Sequence, residues 1–558
     1  MERVKRELEA AIAHEVEDKE IPSISYALVD RKELLASGHV TLSTRPTVLT
    51  DDSVFRVGSC SKMFTGIALM QFVEEGKIDL DKDVSEYIPG FAPRNPFASG
   101  SKGGPDARVT LRKLMSHTAG MVREASVGHY LDDANVSAEE MVEELAKSTL
   151  KEDPAAGVYQ YSNAGLAVVG HIVERLCGGD FAAHIERSVL APIGMRHSSF
   201  VQTPYVKAHL APAFMWTFEE DFPAPVFDMG GGGAAGNLFS PLPDMAAFIQ
   251  TMLRGGFAAS GEPILSTATL HSMWEPIGRR GKLAYGLTFG LGSVDGWRTV
   301  GHGGAVYGYA TQLAFLPEAD LGIVLCGTLD MVNIILSRLG SYGLRLALAQ
   351  RGMGRPPEPW PTYKPLSPER LERLSGAYRD EGSGETVKVT AKNGRLYLVV
   401  DDLPLRIQAK TDTGFAVDGR AFGPGSEYPH LTATFSPAGA GEAPSLHWRN
   451  RDWTRVPEPA PEAVPNEYAG YVGEYGPDFN VTRVFYRGGK LKCTIEYFFT
   501  HTLEKVAEDR FKMHGLLYDD ETLEFHAVDE QWREGIRVGP MFLARRTSKA
   551  PAQTGKGG

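Results

Sequence analysis

Two proline-rich segments constrain this chain more than any other feature. They are Arg355-Pro356-Pro357-Glu358-Pro359-Trp360-Pro361 and, about 100 residues later, Pro457 to Pro465. Proline fixes φ and lacks an amide hydrogen, so neither stretch suits a helix interior or a central strand. Both read as stiff linkers. The 558 residues then divide into a large domain at 1–352, a linker at 353–365 and a small domain at 366–456. A second linker at 457–465, a second small domain at 466–548 and a tail at 549–558, read as disordered, complete the chain. At roughly 150 residues per domain, length alone suggests about three or four units.

Within the large domain, Val4, Leu8, Ile12 and Val16 recur every four residues and predict an amphipathic helix. Ile21 to Val29 is β-rich, and a second strand is expected around Leu34 to Ala36. Far downstream, Tyr309–Leu316 and Leu321–Thr328 flank the turn Pro317-Glu318-Ala319-Asp320, a hairpin pattern, and Val332 to Ala349 reads as a closing helix. Helical patterns broken by Gly/Pro loops fill roughly residues 60–280. The expectation is an α+β domain whose antiparallel sheet is built from both ends around a helical insertion. After each linker a similar pattern appears: Leu374-Ser375-Gly376-Ala377-Tyr378 with Asn393-Gly394, then Tyr471-Val472-Gly473-Glu474-Tyr475 with Gly488-Gly489. The glycine spacings are 18 (376 to 394) and 16 (473 to 489), so the small domains read as a degenerate repeat of two antiparallel β-barrels.

Charge excludes some partners. Lys plus Arg number 58 and Asp plus Glu 70, a formal charge of −12 without a basic block, which argues against nucleic acid and against an anionic membrane surface. No stretch approaches 18 uncharged apolar residues, and the opening MERVKRELEAAIAHEVEDKE carries acids where a signal peptide needs an apolar run, so a cytoplasmic chain is expected. Cys60, Cys177, Cys326 and Cys493 are scattered without a CxxC pair, and the fifteen histidines include no HExxH. Disulfides, metals and cofactors are not expected. Cys326, in an apolar run, reads as a buried small hydrophobe.

Three elements carry chemistry. Ser59-Cys60-Ser61-Lys62 is an S-x-x-K; on a helix the serine and lysine lie one turn apart, where an amine kept partly neutral can take the hydroxyl proton. By itself the pattern is common, and taken alone it more often marks an N-cap serine beside a solvated lysine. Tyr161-Ser162-Asn163 is a Y-x-N: a tyrosine whose pKa is lowered beside lysine can share proton transfer, and an asparagine amide can hold a carbonyl. His302-Gly303-Gly304, before an expected strand, would let a substrate backbone approach and pair. Their plain alternatives are a packed tyrosine, a helix-capping Asn163 and a loop His302.

Taken in order, these motifs resemble the serine β-lactamase and penicillin-binding-protein superfamily, in its class C and D-aminopeptidase branch. Lys77 to Val84, Leu111 to Met121 (LRKLMSHTAGM) and the glycine-rich Gly230 to Ser240 resemble further family segments. The resemblance implies Ser59 as acylated nucleophile, Lys62 as proton acceptor, Tyr161 as an acid/base partner and Asn163 as a substrate contact. His302, Gly303 and Gly304 would line the substrate, His302 standing where many β-lactamases have lysine. The amides of Ser59 and Ala305 would form the oxyanion hole. His117, although beside these motifs, would be structural, and Cys60 packing.

A catalytic domain followed by two small lipocalin-like barrels resembles the D-aminopeptidase layout, in which a loop of the last domain limits substrate length. The counterpart here is sought at Tyr475–Asn480 or around Tyr497-Phe498-Phe499. The resemblance implies a peptidase or amidase on small peptides, D- or other non-standard residues included. The alternatives are a family VIII-like carboxylesterase with incidental β-lactam turnover and a non-catalytic β-lactam-binding or assembly protein. Expected partners are a small peptide, amide or ester and further copies of the same chain.

Overall fold

The computed structural model describes all residues except 98–106, 133, 219, 282, 364, 401–402, 419–431, 437–443, 461, 497–498, 516–517, 519, 530–531 and 547–558. The expected Tyr497-Phe498 loop and the tail lie outside these. The described residues form two compact units, divided at Tyr363/Lys364.

The first unit is built on an antiparallel sheet of eight strands. Their order is Leu34–Thr41, Ser23–Val29, Leu321–Gly327, Tyr309–Leu316, Trp297–Val306, Gly290–Val294, Leu283–Tyr285 and Gly278–Arg280. The amino-terminal strand Ser23–Val29 pairs directly with Leu321–Gly327, Ile24 opposite Gly327, so the two ends of the domain close one sheet as expected. Leu321–Gly327 is buried along its whole length because both faces are covered. On one face, Ile323 and Leu325 lie against Gly343 and Gly340 of the helix Asn333–Gln350. On the other, the Gly322 position meets Ile249 of the helix Leu242–Leu253. The helix Glu2–Lys19 joins Asn333–Gln350 on the first face, presenting Val4, Leu8, Ile12 and Val16 inward.

One strand differs from expectation. His302-Gly303-Gly304 lies within the strand Trp297–Val306, not before a strand. Glycines at 301, 303 and 304 lower its β propensity, which hid it in the sequence pattern.

The helix Ser61–Glu74 runs through the core. Met63, Phe64, Ile67, Ala68 and Leu69 have no exposed surface, and Phe64 meets Phe248 at a ring separation of 4.4 Å. A helix apolar on all sides can only be a core helix. Residues 355–363 lie on the same unit: Trp360 Nε1 donates to Glu15 Oε1 at 2.9 Å and its ring meets Tyr342 edge-on.

The second unit holds a closed eight-stranded barrel, Gly376–Asp380 to Arg451–Val456, and an eight-stranded antiparallel sheet from Gly473–Tyr475 to Met541–Ala544. The second is nearly closed, by a bridge between Tyr475 and Arg545. The repeat extends to its hydrogen bonds. Tyr378 donates its hydroxyl proton to the Leu374 carbonyl and Tyr475 to the Tyr471 carbonyl, each at 2.8 Å. Arg455 donates to the carbonyls of Arg373 and Ser375, and Arg545 to those of Gly470 and Val472. Both barrels thus tie their first strand to an arginine of the closing region by the same bonds. The loop after Tyr475 is held within its own barrel, Gly476 N donating to the Ala544 carbonyl and Asn480 N to the Pro477 carbonyl. No helix among the described residues is long and apolar enough to cross a membrane.

The packing of the core helix yields a test. A Cβ at Gly66 would sit 2.2 Å from Thr288 Oγ1, a fully buried hydroxyl. Gly66→Ala is expected to destabilise the unit by about 1–3 kcal/mol, read as a lowered urea midpoint with an unchanged slope.

Candidate active site

Ser59 sits in a single 3₁₀ turn, Gly58–Cys60, that feeds the core helix. Ser61 Oγ locks this entry, donating to the Gly58 carbonyl at 2.6 Å and accepting from Leu238 N at 2.9 Å. Lys62 follows one turn later, with Nζ 3.0 Å from Ser59 Oγ. Its helix is buried along most of its length, and Lys62 has 0% exposure. Loss of hydration lowers its pKa to about 7, only partly opposed by the Glu124 charge. About half the amine is therefore neutral at neutral pH. Nζ also donates to Asn163 Oδ1 at 2.8 Å and to the Ala235 carbonyl at 2.7 Å.

Tyr161 and Asn163 arrive together at the start of the helix Asn163–Cys177. The cap of that helix is Ser162, whose Oγ accepts from Gly165 N at 2.8 Å, so Asn163 is free of capping duty. The Tyr161 hydroxyl donates to Ser59 Oγ at 2.8 Å. Burial raises its pKa well above the usual tyrosine value, more than the Ser59 hydrogen bond lowers it. This reverses the expectation of a lowered tyrosine: the phenol is a proton donor in the resting site. Asn163 Nδ2 donates to Glu124 Oε1 at 2.7 Å, so both ends of the amide are engaged by the protein itself.

The strand Trp297–Val306 brings the third motif. It pairs with Gly290–Val294 only as far as Gly301, and from His302 to Val306 that edge has no strand partner among the described residues. The fit to the Ser59 turn demands glycine. A Cβ on Gly304 would stand 1.9 Å from Val57 O, and one on Gly58, which has a left-handed φ of 53°, 2.7 Å from Ala305 N. The backbones carrying the Ser59 and Ala305 amides therefore meet, with Gly303 and Ala305 exposed. His302 Nδ1 donates to its neighbour's carbonyl, Gly303 O, at 2.5 Å, and Nε2 accepts from the Tyr285 hydroxyl at 2.7 Å. Desolvation and then the Lys62 charge lower its pKa to about 4, so His302 is neutral and does not supply the charge of the lysine common in β-lactamases.

His117 lies beneath these groups. Its Nδ1 accepts from Ser162 N at 3.1 Å, and its ring stands 4.4 Å from that of Tyr161 and 4.8 Å from that of Tyr285. Burial holds its pKa well below the usual value. Cys60 is buried and donates its thiol hydrogen to His302 O at 3.3 Å, and burial pushes its pKa up. The three motifs of the first unit, with His117 and Cys60, are thus brought together. Glu124, Tyr285 and the Ala235 carbonyl were not singled out, because nothing in local spacing marks them; the glycine-rich segment Gly230–Ser240 was, and it delivers Ala235.

The beta-lactamase family model matches residues 8–330. The chain belongs to the beta-lactamase family. This beta-lactamase-family chain is 28% identical over 335 residues to Beta-lactamase-like protein 2 of Dictyostelium discoideum, a match covering 58% of this chain and 59% of that protein. In fold it is similar to the octameric penicillin-binding protein homologue from Pyrococcus abyssi, at TM-score 0.55 and 20% identity, covering 80% of this chain and 99% of that one. It is also similar to D-amino acid amidase from Ochrobactrum anthropi SV3, at TM-score 0.50 and 19% identity, over 62% of this chain and 99% of that one.

The buried histidines of this family member set a pH dependence. His129, like His302, is lowered to about 4 by burial, and His117 is lowered as well. Between about pH 4 and 6.5 the unfolded chain binds more protons than the folded one, so their contribution is full above about pH 6.5 and is lost as pH falls toward 4. The thermal midpoint is expected to drop between pH 7 and 4.5, and to drop less in His129→Gln; identical slopes would exclude His129 as a contributor.

Proposed function

We propose that this beta-lactamase-family chain is a serine amidase or peptidase acting on small peptides, D- or other non-standard residues included, through an acyl-enzyme on Ser59. The observation that carries the reading is Ser59 Oγ held between Lys62 Nζ at 3.0 Å and the Tyr161 hydroxyl at 2.8 Å. In this reading neutral Lys62 takes the Ser59 proton as Oγ attacks the substrate carbonyl carbon. The oxyanion turns to the amides of Ser59 and Ala305. The departing amine takes the Tyr161 hydroxyl proton, and the Lys62 ammonium replaces it. Water then attacks the acyl carbonyl carbon as neutral Lys62 takes its proton; the bond from that carbon to Ser59 Oγ breaks, Oγ takes the proton back from the Lys62 ammonium, and the acid product leaves. The open edge from His302 to Val306 would pair with the substrate backbone as an added strand.

The fold shared with a D-amino acid amidase is in keeping with an amide substrate. A homo-oligomer belongs to the same reading, in keeping with the octameric Pyrococcus homologue, and so does a cytoplasmic location, with all four cysteines free. Light scattering of the purified chain is expected to give a multiple of its 60.8 kDa mass; a monomer at micromolar concentration would remove that part.

The activity test is a rate survey of the native chain beside Ser59→Ala. It covers D- and L-aminoacyl p-nitroanilides, short peptides with free or blocked amino termini, p-nitrophenyl butyrate and nitrocefin. Ser59-dependent amide cleavage is expected, with the variant losing turnover and covalent labelling while its thermal midpoint stays nearly unchanged. Rapid ester hydrolysis with silent amides would transfer the chain to the carboxylesterase reading. A fully active Ser59→Ala would end both, and slow labelling without turnover would indicate a β-lactam-binding protein.

A further inference from the structure

A lysine that serves as a base must do more than lose its proton: its lone pair must face the hydroxyl it is to deprotonate. Lys62 Nζ has three oxygen neighbours within hydrogen-bond reach, Ser59 Oγ, Asn163 Oδ1 and Ala235 O. An ammonium would donate to all three. A neutral amine has two hydrogens and one lone pair, so two neighbours must accept and one must donate. The Ala235 carbonyl can only accept. Ser59 can accept or donate. Asn163 decides the outcome, because its amide presents either an acceptor or a donor depending on which way it is turned.

Glu124 removes that choice. Its Oε1 accepts from Asn163 Nδ2 at 2.7 Å, and a carboxylate has no hydrogen to offer, so the amide turns its oxygen to Lys62. Glu124 is itself fixed. Arg123 O accepts from Asn163 N at 2.9 Å and Ala164 N at 3.1 Å, and Val122 O accepts from Ser162 Oγ at 2.6 Å, which lays residues 122–124 along the start of the helix. Arg123 Nε lies 3.5 Å from Glu124 Oε1, and the Glu124 side chain is 5% exposed.

We infer that Glu124 is a positioning residue: by fixing the turn of the Asn163 amide it leaves Ser59 as the one neighbour able to donate to neutral Lys62, and so aims the lysine lone pair at the Ser59 hydroxyl. The inference rests on the acyl-enzyme reading above. With the amide reversed, Asn163 Nδ2 would donate into the lone pair and Lys62 would offer Ser59 only a hydrogen. The role also accounts for an asparagine whose two ends are both spent on protein partners.

Several ionisable groups surround Lys62 Nζ. Glu124 raises its basicity; Arg123, His117 and His302 bear on the same cluster; the thiol of Cys60 and the ring of Tyr161, 4.9 Å away, complete it. The native enzyme is expected to show an acid limb in kcat/KM near pH 7, where Lys62 becomes neutral. Glu124→Gln keeps size and hydrogen bonding but offers Asn163 either an oxygen or an NH₂, and it removes a negative charge. The plateau is expected to fall about ten- to hundredfold, and the acid limb to move to lower pH by about one unit. A purely structural loss would lower the plateau and thermal midpoint without moving the limb.

The double variant Glu124→Gln with Asn163→Asp supplies a second test. Asn163→Asp alone would set two carboxylates 2.7 Å apart, which must share a proton. In the double variant the new amide at 124 can donate to the new carboxylate at 163, which then offers Lys62 only an acceptor. Recovery of most of the plateau lost in Glu124→Gln supports the inference. An unmoved limb or an unchanged plateau in folded Glu124→Gln, or a folded double variant no faster than Glu124→Gln, overturns it. These outcomes leave the nucleophile untouched, since covalent labelling of Ser59 by a fluorophosphonate reports that reading separately: labelling that persists with an unmoved limb sinks only the role of Glu124, whereas a labelled, active Ser59→Ala sinks the acyl-enzyme itself.

Discussion

An amine with no exposed surface has given up its hydration, and the helix that carries Lys62 is buried along most of its length. A pKa lowered from 10.5 to about 7 corresponds to roughly 5 kcal/mol of preference for the neutral form relative to water. Without compensation such a group would be expelled or would distort the core. Here Asn163, Ala235 and Ser59 stand around Nζ, and each arrives from a different part of the chain. The short helical turn Gly233–Gly236 that holds Ala235 also supplies Ala234 O to Thr65 Oγ1 at 2.7 Å, one turn along the core helix. Placing the Asn163 and Ala235 oxygens is therefore a condition of folding as much as of chemistry.

The same economy governs the junction between the Ser59 turn and the strand Trp297–Val306. Two backbones approach so closely that neither Gly58 nor Gly304 can carry a side chain. Glycine in a strand interior costs stability, roughly 0.5–1 kcal/mol relative to alanine. The gain is a place where two peptide groups meet at the exposed rim of Ser59. The sheet can hold that strand in position because its centre, Leu321–Gly327, is sealed between terminal helices on one side and the helix Leu242–Leu253 on the other.

Much of this was legible before the structure. Periodic apolar residues mark the two terminal helices, and the hairpin about Pro317–Asp320 shows in alternation and turn residues. Ser59, Lys62, Tyr161, Asn163 and His302 were found through motif order. The strand holding His302 was not, because its glycines answer to a partner backbone rather than to strand propensity. Glu124 escaped notice because its value lies in being a carboxylate against one end of Asn163, a relation between residues 39 apart in the chain. The repeat in the barrels was visible as glycine spacing and Gly-Ala-Tyr against Gly-Glu-Tyr. Its cause, a tyrosine hydroxyl on the carbonyl four residues back and an arginine from the other end of the barrel, is long-range and had no local signal.

The protonation state of Tyr161 bears on which bond the proposed chemistry favours. Read from sequence, Tyr161 is a tyrosine whose pKa is lowered beside lysine and which shares proton transfer. In the folded chain burial dominates, the phenol stays protonated, and among the described residues neutral Lys62 is the base in contact with Ser59. In the proposed acyl-enzyme reaction, amides and activated esters would make different demands on that division of labour. An aryloxide can leave an ester as the anion, so ester cleavage needs a base and an oxyanion site but no acid. An amine cannot leave as its anion, and the step fails unless a proton reaches the nitrogen as the C–N bond breaks. A protonated Tyr161 at 2.8 Å from Ser59 Oγ stands beside the atom from which the tetrahedral intermediate would grow. Burial thus denies Tyr161 a role as base and also makes it a weak acid, so in the proposed reaction it would relay the proton of the Lys62 ammonium rather than supply one alone.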